Sequence, residues 1–423
     1  MKILFITPGS GDSFYCGNCF RDSLQAAALR RAGHCVTVMP LYLPLKYASF
    51  RGDTPLFFPA TTCYAAHKFF RSGGKMPGWI ERLTGSAAML GFASSMSGTT
   101  SAEGMEEMTL SMITGEDAVF RTHAARLTDW IGRGERPDVI HLSSTLLSGI
   151  AKEIKLRLGI PVVCSVQDEE VWIDSLREPY AAEAWNGIRG GLKYIDGFVT
   201  ASCFYRNVLL KRMPEIGEIS VVYPGVNIGR YSSASCPARP VIGFFYRMNR
   251  ENGLDILAEA FAVLKRRDSI KGLRLRIGGG YSGAAERRFV KGIARRLAPY
   301  GRDVVIDERY CLEEHPDFYA SISVISVPIR FEECVGLYLC EAFAAGRPAV
   351  VPSTGSFPEI VGNAGIICEP NDSHSLADAL EGVLSDADRY TLLTENAKRQ
   401  ASTRYSDTAL AENLAGVYGK FIR

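Results

Sequence analysis

Phe331-Glu332-Glu333-Cys334-Val335-Gly336-Leu337-Tyr338-Leu339-Cys340-Glu341-Ala342-Phe343-Ala344-Ala345-Gly346-Arg347-Pro348-Ala349-Val350-Val351 packs a loop, a helix and a strand into one short run. Gly336 reads as the turn that opens the helix and Gly346 as its left-handed C-cap. Ala349–Val351 follows as an apolar, β-branched strand. Between Leu337 and Ala345 the only charged side chain is Glu341, in a segment apolar enough to be a buried helix. A lone buried carboxylate is costly unless something pairs with it, and the expected partners are hydroxyl groups of a ligand.

The spacing of the two glutamates narrows what they can do. From Glu333 to Glu341 a helix would rise about 12 Å, at about 1.5 Å per residue. Carboxylate pairs that cleave one glycosidic bond stand only about 5 to 9.5 Å apart. Glu333 and Glu341 therefore suit the two ends of one extended ligand, with the helix N-terminus between them as an anion site. A sugar nucleotide has that shape: sugar, diphosphate, ribose. A helix that merely carries an acidic residue at its buried edge fits the pattern as well.

Outward from this run, 423 residues with 47% hydrophobic content are enough for two substantial cores. A net charge of +2 gives no reason to expect nucleic acid as a partner. No stretch has the roughly 20 apolar residues of a membrane span. Met1–Gly9 carries an apolar run too short for a signal peptide and reads as a first strand. The 11 cysteines are scattered and odd in number, which fits free thiols in a reducing cytoplasm.

Short apolar runs alternate with helical patterns along most of the chain, the signature of parallel α/β units. In the first half the expected strands are Ile3–Ile6, Cys35–Met39, Val139–Leu142, Val162–Val166, Gly197–Ala201 and Ser220–Tyr223. Residues 45–125 break the rhythm and read as a helical insertion. In the second half the strands are Val241–Phe245, Leu273–Ile277, Val304–Ile306, Val324–Val327, Ala349–Val351 and Gly365–Ile367. The expected organisation is a domain over residues 1–232, a second over 233–406, and a final helical segment, 407–423, that crosses back to the first. Two doubly wound, Rossmann-like parallel sheets would then face an interdomain cleft.

The chain resembles the GT-B glycosyltransferases of family 4, the retaining, metal-independent class, over nearly its whole length. Glu333-x7-Glu341, the following Ala342–Val351, and Gly355-Ser356-Phe357-Pro358-Glu359-Ile360-Val361 carry the resemblance most specifically. The loop and helix ending in Ala32-Gly33-His34-Cys35-Val36 add to it. So does Val241–Arg247, leading to Gly253-Leu254-Asp255-Ile256-Leu257. The resemblance implies that Glu333 binds hydroxyls of a donor sugar and Glu341 the ribose. It places the amides of Val335, Gly336 and Leu337 at the diphosphate, and it gives Arg247 the fixed positive charge that a metal supplies elsewhere. No cofactor or metal is expected.

At the N-terminal loop Gly17 carries the match, with Gly9 and Gly11 as further candidates for close backbone approach. Cys16-x2-Cys19 has no second such pair, so neither zinc nor a redox role is expected. Two positions depart from the family pattern. Asn252 stands where a lysine normally helps hold the diphosphate, and Arg250 is the candidate to replace it. Gln167 stands where a histidine is common; it can hydrogen-bond a sugar hydroxyl but cannot exchange a proton. Asp168-Glu169-Glu170 reads either as a contact for a polar or cationic acceptor or as a solvated loop.

In the insertion, Tyr64–Arg71 and Lys75–Arg82 combine basic and aromatic residues. They would suit an anionic membrane surface at the inner face of a membrane, a cap on the acceptor site, or two packed amphipathic helices. His67, His34 and His141 lack metal-type spacing. The expected activity is transfer of a sugar from a nucleotide-sugar donor to a glycan, lipid or small-molecule acceptor. The rivals are a non-catalytic nucleotide-sugar-binding protein and a sugar-nucleotide epimerase on the same architecture.

Overall fold

The computed structural model describes residues 1–9, 17–41, 46–47, 50–51, 104–231, 237–308 and 315–422. Its strands are β1 (Lys2–Thr7), β2 (Cys35–Pro40), β3 (Lys46–Tyr47), β4 (Phe50–Arg51), β5 (Val139–Leu142), β6 (Val162–Ser165), β7 (Gly197–Thr200) and β8 (Ile219–Val221). The second half adds β9 (Val241–Arg247), β10 (Arg274–Gly280), β11 (Val304–Asp307), β12 (Val324–Ile325), β13 (Ala349–Pro352) and β14 (Gly365–Cys368). Both sets of strands expected from the sequence are therefore present, with ends shifted by up to three residues. Among the described residues, the antiparallel β3–β4 pair was the one not foreseen.

The first six-stranded sheet has the order β2-β1-β5-β6-β7-β8 and the second β11-β10-β9-β12-β13-β14. Every pairing within them is parallel. Parallel strands are covered on both faces, so they read as continuous apolar runs. β6 and β13 are buried along their whole length. Strand order reverses between β1 and β5 in the first sheet, and between β9 and β12 in the second. At such reversals the loops on either side diverge and leave a crevice at the strand C-terminal ends.

The chain forms two compact units. One comprises residues 1–200, 206–222 and 411–423, the other residues 201–205 and 223–410. The last helix, Asp407–Gly419, thus gives its C-terminal part to the first unit. There Tyr418 is fully buried, and Phe421 packs so close to Gly197 that a Cβ there would stand 2.4 Å from its ring and have to displace it. In the second unit the helix Leu254–Arg267 follows β9. It has Asp255 in its first turn and Lys265, Arg266 and Arg267 in its last, matching the helix dipole at both ends.

Of the expected insertion, the described part holds the helix Glu106–Thr114 and the start of Ala118–Arg133. Gly11, Cys16, Tyr64–Arg71 and Lys75–Arg82 lie outside the described residues. No helix among the described residues is long and apolar enough to cross a membrane.

Candidate functional site

In the second unit the reversal between β9 and β12 gathers the donor-side candidates. β9 ends on Arg247, and the loop after β12 carries Glu333 into the helix Leu337–Ala344. Close backbone packing fixes that loop. A Cβ on Gly253 would stand 1.8 Å from the Pro328 carbonyl oxygen, and one on Gly355 would stand 2.3 Å from that of Glu333. Both glycines have positive φ, at 73° and 54°. The Ser356 amide donates to the Glu333 carbonyl at 2.7 Å. Arg330 grips Asp255 with both terminal nitrogens, at 2.7 and 3.0 Å.

Glu333 is buried, and its carboxylate accepts from the Val335 amide at 3.1 Å and the Tyr246 hydroxyl at 3.3 Å. One of the three amides expected at a diphosphate is therefore taken by Glu333 itself. Gly336 holds the left-handed conformation (φ 59°) that opens the helix, as its sequence position implied. The first N–H groups of a helix have no partner within it, so Gly336 and Leu337 begin an N-terminus suited to an anion. Gly346 is also left-handed, and its amide donates to the Phe343 carbonyl at 2.9 Å.

Glu341 does not depend on a ligand for its partners, because the protein supplies three. Its Oε1 accepts from the Tyr231 hydroxyl at 2.7 Å and lies 3.0 Å from His315 Nδ1. Its Oε2 accepts from the Tyr319 hydroxyl at 3.0 Å. Burial pushes the carboxyl up, but His315 and the tyrosines outweigh it, and the group titrates below the usual carboxylate range. A carboxylate has about four acceptor sites, so Oε2 keeps capacity for one more donor.

Arg247 is half-buried and not an isolated charge. Its Nε donates to Glu286 at 3.0 Å and a terminal nitrogen to the Ser282 hydroxyl at 2.5 Å. Glu286 also accepts from the Ser282 amide at 2.7 Å, which fixes it at the start of the helix Gly283–Leu297. Asn252, at the expected lysine position, is buried and donates to the Arg247 carbonyl at 2.8 Å. It shapes the loop and adds no charge. Arg250 does not move in beside it: its side chain is exposed, and its carbonyl accepts from Arg330.

In the first unit the reversal between β1 and β5 holds a second polar cluster, built around Gln167. Gln167 follows β6, and its Oε1 accepts from Arg21 at 2.8 Å. Arg21 lies on the helix Gly17–Arg31, whose first residue is the candidate Gly17. Arg21 also donates to Asp22 at 2.8 Å and to the Ser143 carbonyl at 2.8 Å.

The reading of Asp168-Glu169-Glu170 as a solvated loop fails at Glu169, which is 1% exposed. It accepts from Ser144, Thr145 and the Gln167 amide, the last at 2.7 Å. Asp168 sits in the left-handed region at φ 57°. His141 is structural: its ring stacks on Phe5 and joins Ser165 at 2.8 Å and Tyr418 at 2.7 Å. Arg21, Arg330, Tyr231 and His315 were missed, because nothing in their sequence spacing links them to the glutamates or to Gln167.

Two doubly wound parallel sheets, the second with an anion-suited helix N-terminus at its reversal, have the GT-B fold. Residues 239–386 match the family described as glycosyl transferases group 1, and residues 115–230 match glycosyltransferase family 4. The chain belongs to the family 4-like glycosyltransferases.

Among curated relatives, the D-inositol 3-phosphate glycosyltransferase of Corynebacterium kroppenstedtii is 30% identical over 229 residues, covering 49% of this chain and 49% of that protein. Its counterpart in Corynebacterium glutamicum is 30% identical over 221 residues, covering 48% and 52%. The chain thus spans about half the length of the curated relatives it matches. Among solved structures, sucrose-phosphate synthase from Thermosynechococcus elongatus superposes with a TM-score of 0.68 at 16% identity, over 99% of each chain. Anabaena HepE, crystallised with UDP and glucose, gives a TM-score of 0.64 at 15% identity over 100% of each chain. At such identities the likeness is one of fold.

Proposed function

We propose that the protein is a retaining glycosyltransferase that moves a sugar from a nucleotide-sugar donor to a separate acceptor without a metal ion. The observation that carries the reading is Glu333, a buried carboxylate fixed at the mouth of the helix Leu337–Ala344 by Gly355, Ser356 and Tyr246. A carboxylate there accepts from sugar hydroxyls while the helix N-terminus takes the diphosphate. Arg247 adds positive charge at the departing phosphate and shares it with Glu286. Glu341 receives a ribose hydroxyl on Oε2, beside Tyr319.

Gln167 has no proton to exchange, so the leaving phosphate oxygen takes the acceptor's proton on the same face of the sugar. Anabaena HepE, with UDP and UDP-glucose in its crystals, supports a uridine nucleotide as the first donor to try. The names of the curated relatives support an inositol phosphate as the first acceptor.

The test begins with thermal-shift screening of UDP-, GDP-, ADP- and CDP-sugars. Transfer to inositol phosphate and to a panel of other acceptors follows, with and without EDTA. The expected product keeps the donor's anomeric configuration by NMR, and EDTA has no effect. An inverted anomer would sink the retaining mechanism, and donor epimerised without acceptor would sink transfer. A second reading, binding without turnover, is favoured by Asn252, whose side chain is spent on the Arg247 carbonyl. Donor binding with no product from any acceptor would select it.

A further inference from the structure

The Arg21–Gln167 contact settles which way the glutamine amide faces. Arginine has five N–H donors and no acceptor, so the atom turned toward it must be the carbonyl oxygen. Arg21 itself cannot turn away. It is 5% exposed, and its Nε and one terminal nitrogen both reach Asp22 Oδ1, at 3.2 and 2.8 Å. The same terminal nitrogen reaches the Ser143 carbonyl, and the Ser143 hydroxyl in turn holds Asp22 Oδ2. The backbone of Gln167 is pinned as firmly by Glu169, which Ser144 and Thr145 hold. Flipping the amide would set donor against donor and lose a charge-assisted hydrogen bond.

Both amide protons therefore face away from Arg21. One is used by Asp168 Oδ2 at 3.2 Å, and the other has no partner among the described residues. We propose that Arg21 is a positioning residue that locks Gln167 as a hydrogen-bond donor toward substrate. The remaining N–H meets an oxygen of the transferred sugar or of the acceptor. Gln167 thus orients the reacting groups and stabilises negative charge that develops on oxygen, while it takes no proton. This rests on the glycosyltransferase reading and adds to it a residue, Arg21, and a polarity.

Gln167→Glu separates donation from architecture. The new carboxylate still accepts from Arg21, but at about pH 8 it has no proton to give, and it faces the Asp168 carboxylate that the amide had bonded. The expected result is a folded protein with a modestly lowered melting temperature and turnover lowered about tenfold to a hundredfold. Gln167→Met, which has similar length and neither donor nor added charge, should lower turnover as much. Loss in donor hydrolysis as well as in transfer assigns the contact to the sugar; loss in transfer alone assigns it to the acceptor. Wild-type turnover from Gln167→Glu overturns the donor role.

Arg21→Lys keeps the charge but not the fork. It should lower kcat with donor KM unchanged, and a normal kcat overturns positioning. A readout independent of activity is the side-chain amide signal of Gln167 in ¹⁵N–¹H spectra, assigned by its absence in Gln167→Glu. It should shift in Arg21→Lys, and an unmoved signal overturns the lock. Failure of the wild type to turn over any nucleotide sugar would defeat the glycosyltransferase reading instead, and the spectra would still decide whether Arg21 orients the amide.

Discussion

At the reversal point of the first sheet, Arg21, Asp22, Gln167 and Glu169 tie one another together, and Ser143, Ser144 and Thr145 fill their remaining valences. At that of the second sheet, the hydroxyls of Ser326, Tyr338, Thr354 and Ser356 are buried with no partner among the described residues. Among the described residues the first unit leaves fewer hydroxyls in that state, Thr7 and Thr200 at strand ends, together with the Gln25 Oε1 on the helix Gly17–Arg31. Native proteins pair their buried polar groups, so these hydroxyls in the second unit are ones that ordered water or a bound molecule would complete. The tied cluster is rigid on its own account. Rigidity suits a group that must present one amide face, and under-satisfaction suits a pocket that must take up hydroxyls and phosphates.

Glu341 is where this contrast is easiest to break, since it lies in the second unit yet is paired as fully as anything in the first. Glu341→Leu would leave two tyrosine hydroxyls and His315 facing an apolar side chain. We expect a stability loss of about 3–5 kcal/mol by urea unfolding, the largest effect of any single change discussed here. Glu341→Gln, which keeps a carbonyl for one tyrosine, should lose less. If Glu341→Leu unfolds like wild type, the Tyr231–His315–Tyr319 cage contributes nothing.

The tied side of the contrast can be strained with acid. His141 is fully buried between Ser165 and Tyr418, and burial first, then the Arg21 charge, holds its pKa well below the usual 6.5. A histidine with a depressed folded-state pKa is neutral in the native protein while the unfolded chain takes up a proton. Its contribution to stability is therefore complete above the unfolded pKa and is lost as pH falls below it. Below about pH 6.5 the loss should approach about 1.4 kcal/mol per pH unit, the linkage slope for one proton. His141→Gln can still hydrogen-bond but cannot titrate, so its unfolding free energy between about pH 7 and pH 5 should fall less steeply than that of the wild type. Parallel curves would remove His141 as the source.

The strands were legible because parallel sheets bury both faces, and runs such as Val162–Ser165 and Ala349–Pro352 carry that burial on their surface. The Glu333 loop was legible for a similar reason, since its glycines stand where side chains cannot. The cluster partners were not. Tyr231 meets Glu341 across 110 positions and Arg21 meets Gln167 across 146. No periodicity joins residues so far apart. Arg247 shows the limit most clearly: its place after a strand was readable, while its pairing with Glu286 depends on how the helix Gly283–Leu297 starts.

The contrast is sharpest in a pair of tyrosines with opposite expected responses to loss of one oxygen. Tyr338 is 4% exposed, its ring meets Tyr246 edge-on at 5.2 Å and Phe357 at 6.2 Å, and its hydroxyl has no partner among the described residues. Burial, reinforced by the charge on Glu333, drives that phenol well above its usual 10, so the hydroxyl stays neutral and desolvated. Tyr338→Phe keeps both ring contacts and removes the unsatisfied oxygen, and should raise stability by about 1 kcal/mol in thermal unfolding. Tyr418→Phe removes an equally buried hydroxyl, but one joined to His141 at 2.7 Å, and should lower stability by about 1–3 kcal/mol because the imidazole loses its partner. If a donor completes the pocket through the Tyr338 hydroxyl, the melting-temperature gain on adding that donor should be smaller in Tyr338→Phe than in wild type. Changes of the same sign in the two variants would erase the distinction between the clusters.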